Sequence, residues 1–261
     1  MAERTLLAVV AHPGDESCHC GGVLARYAAA GARVVLVCAT RGQAGAITDP
    51  ALATPATLGE VRTAELEAAA ATLGIAAIHW LDYQDGTLAE AVPFPEGVRR
   101  VAEILATERP ATVVTFGPEG VYGHYDHVMV HRWAKQAFAD AHAAGLLDGA
   151  RLYYCAPPRG WYRAISARCR AHGLPDRYGP WLDWMGVPDV LAEIRLDVAA
   201  HAAARLQAIR AHRTQLPTTH PFLTLPERDV LELLDSEWYT RYWPPRSETE
   251  PPETTLLPGA D

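Results

Sequence analysis

"TLLAVVAHPGDESCHCGG", residues 5–22, decides the fold. Its first seven residues are an unbroken aliphatic run, the pattern of a strand covered on both faces, as in a parallel sheet. Pro13 and Gly14 end that run, and Gly21 and Gly22 open a helical pattern that continues as "GGVLARYAAAG". His12, Asp15 and Glu16 are crowded into the turn between them.

The same unit recurs along the chain. "RVVLVCA" (33–39), "AIHWL" (77–81) and "TVVTF" (112–116) read as further buried strands, while 58–74 and 98–110 carry apolar residues at helical spacing and stop at Gly or Pro. Strand and helix in alternation imply a Rossmann-like α/β fold, a mostly parallel sheet with right-handed crossovers and helices on both faces. Ligands collect at the carboxyl ends of such strands. Those ends carry His12 to Glu16, Arg41 to Gly45, Asp82 and Asp85, and "GPEGVYGHYDH" (117–127), so four loops converge on one crevice.

Beyond residue 150 the alternation loosens into aromatic and Pro-rich loops before a strand and helix resume over 192–215. The expected organisation is one domain over 1–243, with a core of 1–149 and a C-terminal cap of 150–243. Residues 244–261, "PPRSETEPPETTLLPGAD", are poor in core formers and read as a mobile tail.

Composition narrows the partners. At 49% hydrophobic and 21% charged, the 261 residues suit a globular domain, and a net charge of −8 argues against an electrostatic grip on nucleic acid or anionic membrane. A small-molecule partner is expected, and a homo-oligomer stays open. The apolar run near the N-terminus is too short for an export signal, and the five cysteines lack framework spacing, so reduced thiols in a cytoplasm are expected. Cys18, His19 and Cys20 are consecutive, and on a helix they point about 100° apart, which forbids joint chelation of one ion.

A histidine and a carboxylate three residues apart form half of a mixed N/O metal site, and His124, Asp126 and His127 supply the other half from a neighbouring strand end. Either fragment alone reads as hydrogen-bonding loop residues; together they point to a divalent metal. "AHPGDE" followed by "GG", then "TRGQAG", "RTAEL", "LDYQDG", "YGHYDHVMVH" and "AHRTQ", in this order, resemble the zinc-dependent N-acetylglucosaminyl deacetylases of the PIG-L or LmbE-like family. The likeness spans residues 5–216.

The resemblance implies one zinc per chain on His12, Asp15 and His127, a position open for water, and hydrolysis of the N-acyl amide of an amino sugar. It also implies that Tyr122 stabilises an oxyanion and that His124, oriented by Asp126, moves protons. Arg62, Asp85, Arg41 and His212 become substrate contacts. For Arg62 the alternative is pairing with Glu65 or Glu67 on its helix, and for His212 a role at a helix end.

One position departs from the pattern. The family's general-base Asp falls on Gly14, a loss typically worth about 10²- to 10⁴-fold in rate. A catalytically silent metal- or sugar-binding relative is therefore the alternative to a working hydrolase. A nucleotide-binding module is disfavoured, because the first turn lacks G-x-G-x-x-G and presents carboxylates to any phosphate.

Overall fold

The computed structural model describes residues 4–247, 249–251 and 253–257. Seven strands, β1 Thr5–Val10, β2 Arg33–Thr40, β3 Ala77–Tyr83, β4 Thr112–Phe116, β5 Arg151–Cys155, β6 Ile194–Asp197 and β7 Ser236–Trp243, form one sheet in the order β3-β2-β1-β4-β5-β7-β6. β1 to β5 run parallel, and β7 is antiparallel to both β5 and β6. β1 is buried along its whole length, as its unbroken aliphatic run requires. Chain order reverses between β1, which leads to β2 on one side, and β4 on its other side, so the crevice beyond their carboxyl ends is the topological switch point.

The helices Gly21–Ala29, Leu58–Leu73 and Phe94–Glu108 follow the sequence expectation closely. Leu58–Leu73 stops at Gly74, whose φ of 73° ends the helix in the left-handed conformation that glycine adopts without steric cost. The helix Tyr125–Ala143 starts in the segment that connects β4 to the crevice and buries Met129, Val130, Trp133 and Phe138.

The sheet runs on past the expected core boundary at residue 149, through β5, β7 and β6. A smaller second core does exist there: Tyr162 and Ile165 of the helix Arg159–Ala171 pack with Leu206 and Ile209 of Ala202–Ala211 and with Phe222 and Leu233. β5 and β7 escaped the sequence pattern because their aromatic and charged residues break the aliphatic signature. "YY" of β5 and "EWYTRYW" of β7 nonetheless suit a sheet, where aromatic residues cover broad surfaces.

The mobile tail expected over 244–261 is also corrected where it is described. Leu256 and Leu257 are fully buried in the main core, Tyr27 Oη accepts from the Leu256 amide at 2.6 Å, and Arg241 pairs with Glu250 and Glu253. Two leucines and two acids suffice to dock a segment whose average composition is that of a disordered one. Pro258 to Asp261 lie outside the described residues. Among the described residues no helix is long and apolar enough to cross a membrane.

Candidate metal centre

His12 stands at the end of β1, and its side chain is enclosed by three carboxylates. Its Nδ1 is 3.4 Å from Asp15 Oδ2, while its Nε2 is 2.9 Å from Asp85 Oδ1 and 3.2 Å from Asp126 Oδ2. Burial alone would push this imidazole down, but hydrogen bonding to Asp126, Asp15 and Asp85 outweighs it and raises its pKa well above the ordinary range. With Nε2–H directed at Asp126 and Asp85, loss of the other proton would leave the lone pair on Nδ1, on the Asp15 side, the carboxylate–histidine arrangement that orients metal-binding imidazoles.

Asp15 joins the two half sites. It starts the helix Asp15–His19, its Oδ2 accepts from the His12 amide at 2.7 Å, and its Oδ1 is 3.3 Å from His127 Nε2. Its burial favours the neutral acid, yet His127 and His12 hold the carboxyl well below the usual range. His127, on the first turn of Tyr125–Ala143, has Nδ1 3.2 Å from the Gly120 carbonyl. A carbonyl only accepts, so Nδ1 donates to it, and the buried Nε2, whose near neighbour is Asp15 Oδ1, is the atom left to face a metal. An orphaned imidazole nitrogen facing a carboxylate held ionised is a fitting donor set for zinc. Ligating atoms of His12, His124 and His127 also lie within 4.8 Å of one another.

His124 does not have the partner the sequence suggested. Asp126 gives its carboxylate to His12 and to the amides of Gly86 and Leu88, at 2.7 and 3.2 Å, and only its backbone N–H reaches His124 Nδ1. His124 thus caps the helix with Nδ1 as acceptor, which leaves its proton on Nε2. Burial and the neighbouring His127 and His12 lower its pKa. Tyr122 follows Val121, whose φ of 68° is a strained value for a β-branched residue. The Tyr122 ring is 5.5 Å from His127 and 5.8 Å from His124. Burial raises its pKa, so the phenol keeps its proton as a donor.

The expected substrate contacts divide. Asp85 faces His12 with one oxygen and accepts from the Ala44 amide with the other at 2.9 Å, so both of its oxygens are engaged within the protein. Arg62 is buried with two guanidinium nitrogens donating to the Gly42 and Pro13 carbonyls at 2.7 Å each, locking two strand-end loops together; neither Glu65 nor Glu67 pairs with it, and Glu65 binds Thr214. Arg41 turns outward, bonded to Asp82 at 2.7 Å and stacked 3.9 Å over Trp80. It lies away from the main cavity. His212 does reach the site, where its Nε2 is 2.8 Å from Glu16 Oε1.

That cavity, about 480 Å³, has Gly14, Asp15, Arg62 and His212 on its polar side and Trp161, Tyr162, Tyr178 and Phe222 among its aromatic walls. Sequence reasoning missed those walls, because they come from loops and helices beyond residue 150 that carry no motif. Cys18 and His19 line the cavity, while Cys20 is buried in the main core. Burial pushes the Cys18 thiol up to about 12 and the His19 imidazole down to about 4, so both are neutral at pH 7.

Comparison with known proteins places this geometry. Over 267 residues, 92% of this chain and 88% of the relative, the chain is 33% identical to the 1D-myo-inositol 2-acetamido-2-deoxy-alpha-D-glucopyranoside deacetylase of Thermobispora bispora. It is 35% identical to the enzyme of that name from Thermomonospora curvata over 273 residues, 94% of this chain and 92% of the relative. Among solved structures, the N,N'-diacetylchitobiose deacetylase of Pyrococcus horikoshii aligns with a TM-score of 0.65 at 22% identity, covering 92% of this chain and 84% of that one. The 4-carboxy-2-hydroxymuconate hydratase of Pseudomonas putida aligns at 0.63 and 19%, covering 95% and 100%, so the fold alone does not fix the reaction. The model of one family, PIG-L, described as GlcNAc-PI de-N-acetylase, matches residues 7–138, the stretch that contains His12, Asp15, His124 and His127. Sequence match, relatives and sheet topology agree that this chain belongs to the PIG-L family.

Proposed function

We propose that this protein is a zinc-dependent hydrolase that removes the N-acyl group, acetyl in the simplest case, from an amino sugar or a related small conjugate. The observation that carries this reading is Asp15 between His12 Nδ1 and His127 Nε2, an N, O, N set whose Asp15 lines the cavity. These residues would hold one zinc, which supplies an activated water and polarises the amide carbonyl. The relatives, named as deacetylases of an inositol-linked acetamido sugar, support the substrate class.

The chain's own residues do the rest. The His124 Nε2–H and the Tyr122 phenol are donors beside the ligands, suited to the negative charge that grows on the carbonyl oxygen during attack. Trp161, Tyr162, Tyr178 and Phe222 offer flat apolar faces to a sugar ring or its substituent and exclude bulk water. Arg62 fixes the loops after β1 and β2, and with them the His12 and Asp15 geometry. The five free cysteines fit a reducing cytoplasm.

The alternative reading, a silent binding protein, rests on Gly14 alone. Amine release from 1D-myo-inositol 2-acetamido-2-deoxy-alpha-D-glucopyranoside and from N-acetylglucosamine decides between them. Zinc-loaded protein is expected to release amine, chelator-stripped protein not, and restored zinc to restore it. Binding of these sugars without turnover would favour the silent reading.

A further inference from the structure

Resting on the deacylase reading, we propose that His212, held by Glu16, is the proton acceptor for the attacking water in this chain. Nothing in the ligand set supplies that group. Asp15 lies between two imidazoles, and Asp85 and Asp126 both face His12. Glu16 is fully buried and saturated, accepting from the Gly14 amide at 2.8 Å, from Ser17 Oγ at 2.6 Å and from His212 Nε2 at 2.8 Å. His220 uses Nδ1 to accept from the Phe222 amide.

His212 is different. Glu16 Oε1 takes the Ser17 hydroxyl and faces His212 Nε2, and its Oε2 takes the Gly14 amide, so the carboxylate is used as an acceptor at both oxygens. A carboxylate used as an acceptor takes its bond from His212 Nε2–H, and in the neutral ring this leaves the lone pair on Nδ1. That Nδ1 is buried and has no hydrogen-bond partner among the described residues, while the ring lines the cavity. A carboxylate behind one imidazole nitrogen and an open lone pair on the other is the layout of a general base oriented by an acid.

Gly14 leaves this edge of the ring open. A Cβ built on Gly14 would stand 3.7 Å from His212 Cγ and 3.8 Å from Nδ1, so a side chain at position 14 would lie against the imidazole. Glycine also suits the backbone there, with φ of 110°. The segment that carries His212 is pinned by Thr214, whose amide and hydroxyl both donate to Glu65 at 2.7 Å. Base and glycine thus form one local arrangement, and the missing carboxylate does not imply a silent site.

The step balances as follows. A water O–H bond breaks as its oxygen bonds to the amide carbon, the C=O π pair moves onto the carbonyl oxygen, and the proton passes to His212 Nδ1, directly or through one water. When the C–N bond breaks, its electron pair stays on nitrogen and takes a proton back from His212. The acid and the free amine leave, and His212 is again neutral.

The test uses the zinc-reconstituted full chain with the inositol-linked acetamido sugar as substrate. His212→Ala is expected to lower kcat by about 10²- to 10⁴-fold, with zinc content and the Kd of glucosamine unchanged. His212→Gln, which keeps a donor for Glu16, is read in parallel in case the alanine variant does not fold. Adding Gly14→Asp to His212→Ala is expected to regain at least about tenfold, because a carboxylate can take over as base. Independently of turnover, ¹⁵N NMR of the wild-type ring is expected to show the proton on Nε2, and Glu16→Gln to disturb that preference. A wild-type proton on Nδ1, or turnover undiminished in both His212 variants, would overturn the assignment while leaving the deacylase reading intact. Absence of amine release from the wild type would overturn that reading, and the assignment with it.

Discussion

Asp85 Oδ1 lies 2.9 Å from His12 Nε2, on the side of the ring opposite Asp15. The carboxylate that family resemblance assigned to a sugar thus sits against His12, where it and Asp126 both face one imidazole nitrogen. Removing such an outer carboxylate typically costs about 10- to 100-fold in metal affinity. Asp85→Ala is expected to weaken zinc by that order in a chelator competition, with the KM of the zinc-saturated protein changed by less than about twofold. A selective rise in KM at full zinc occupancy would return Asp85 to the substrate.

His127→Ala is expected to remove most of the bound metal, since Nε2 is a buried donor with no other partner among the described residues. Metal uptake by the wild type should also be pH-dependent. The carboxylates around His12 raise its pKa in the metal-free protein, and a cationic ring must lose a proton to bind metal. Apparent affinity is therefore expected to rise by up to about tenfold per pH unit below that raised pKa. Titration in buffers of different ionisation enthalpy measures the released proton.

Arg62→Ala is expected to destabilise the fold, not only to weaken ligand binding. Its guanidinium satisfies the Gly42 and Pro13 carbonyls at 2.7 Å, and leaving buried acceptors unpaired costs on the order of 1–3 kcal/mol each. Denaturant unfolding of the metal-free protein reads this directly. Unchanged stability with a raised KM would restore the sugar-contact role.

His220 supplies an acid-sensitive element outside the ligand set. Its burial, with a contribution from Arg177, lowers its pKa to about 4, against an ordinary value of 6.5. The folded state thus favours neutral His220, and this stability is present above pH ~6.5 and lost as pH falls toward ~4. The loss has an upper bound of about 3 kcal/mol from the size of that shift. His220→Asn, which keeps a cap for the Phe222 amide, is expected to flatten the unfolding profile over that window.

Leu257→Ala tests the docked C-terminal segment. A fully buried leucine in the main core is typically worth about 2–5 kcal/mol on truncation to alanine. A free tail would show no change in Tm.

The sequence by itself determined the parallel sheet, the strand ends that form the crevice and the placing of the candidate ligands His12 and Asp15 there, because these are written locally. An aliphatic run of five or more residues can only be a doubly covered strand here, and His12 and Asp15 share one turn. Partnership across the crevice was decided by tertiary structure. Asp126 lies two residues from His124 yet gives its carboxylate to His12, 114 positions away, because the helix it begins points that side chain toward β1. Glu16 meets His212 across 196 positions, and Tyr27 holds Leu256 across 229. Hydrogen-bond direction and burial decide such pairs, and neither leaves a periodic mark in a chain. The glycine at position 14 was legible as a missing base; the imidazole facing it was visible only once the chain had folded.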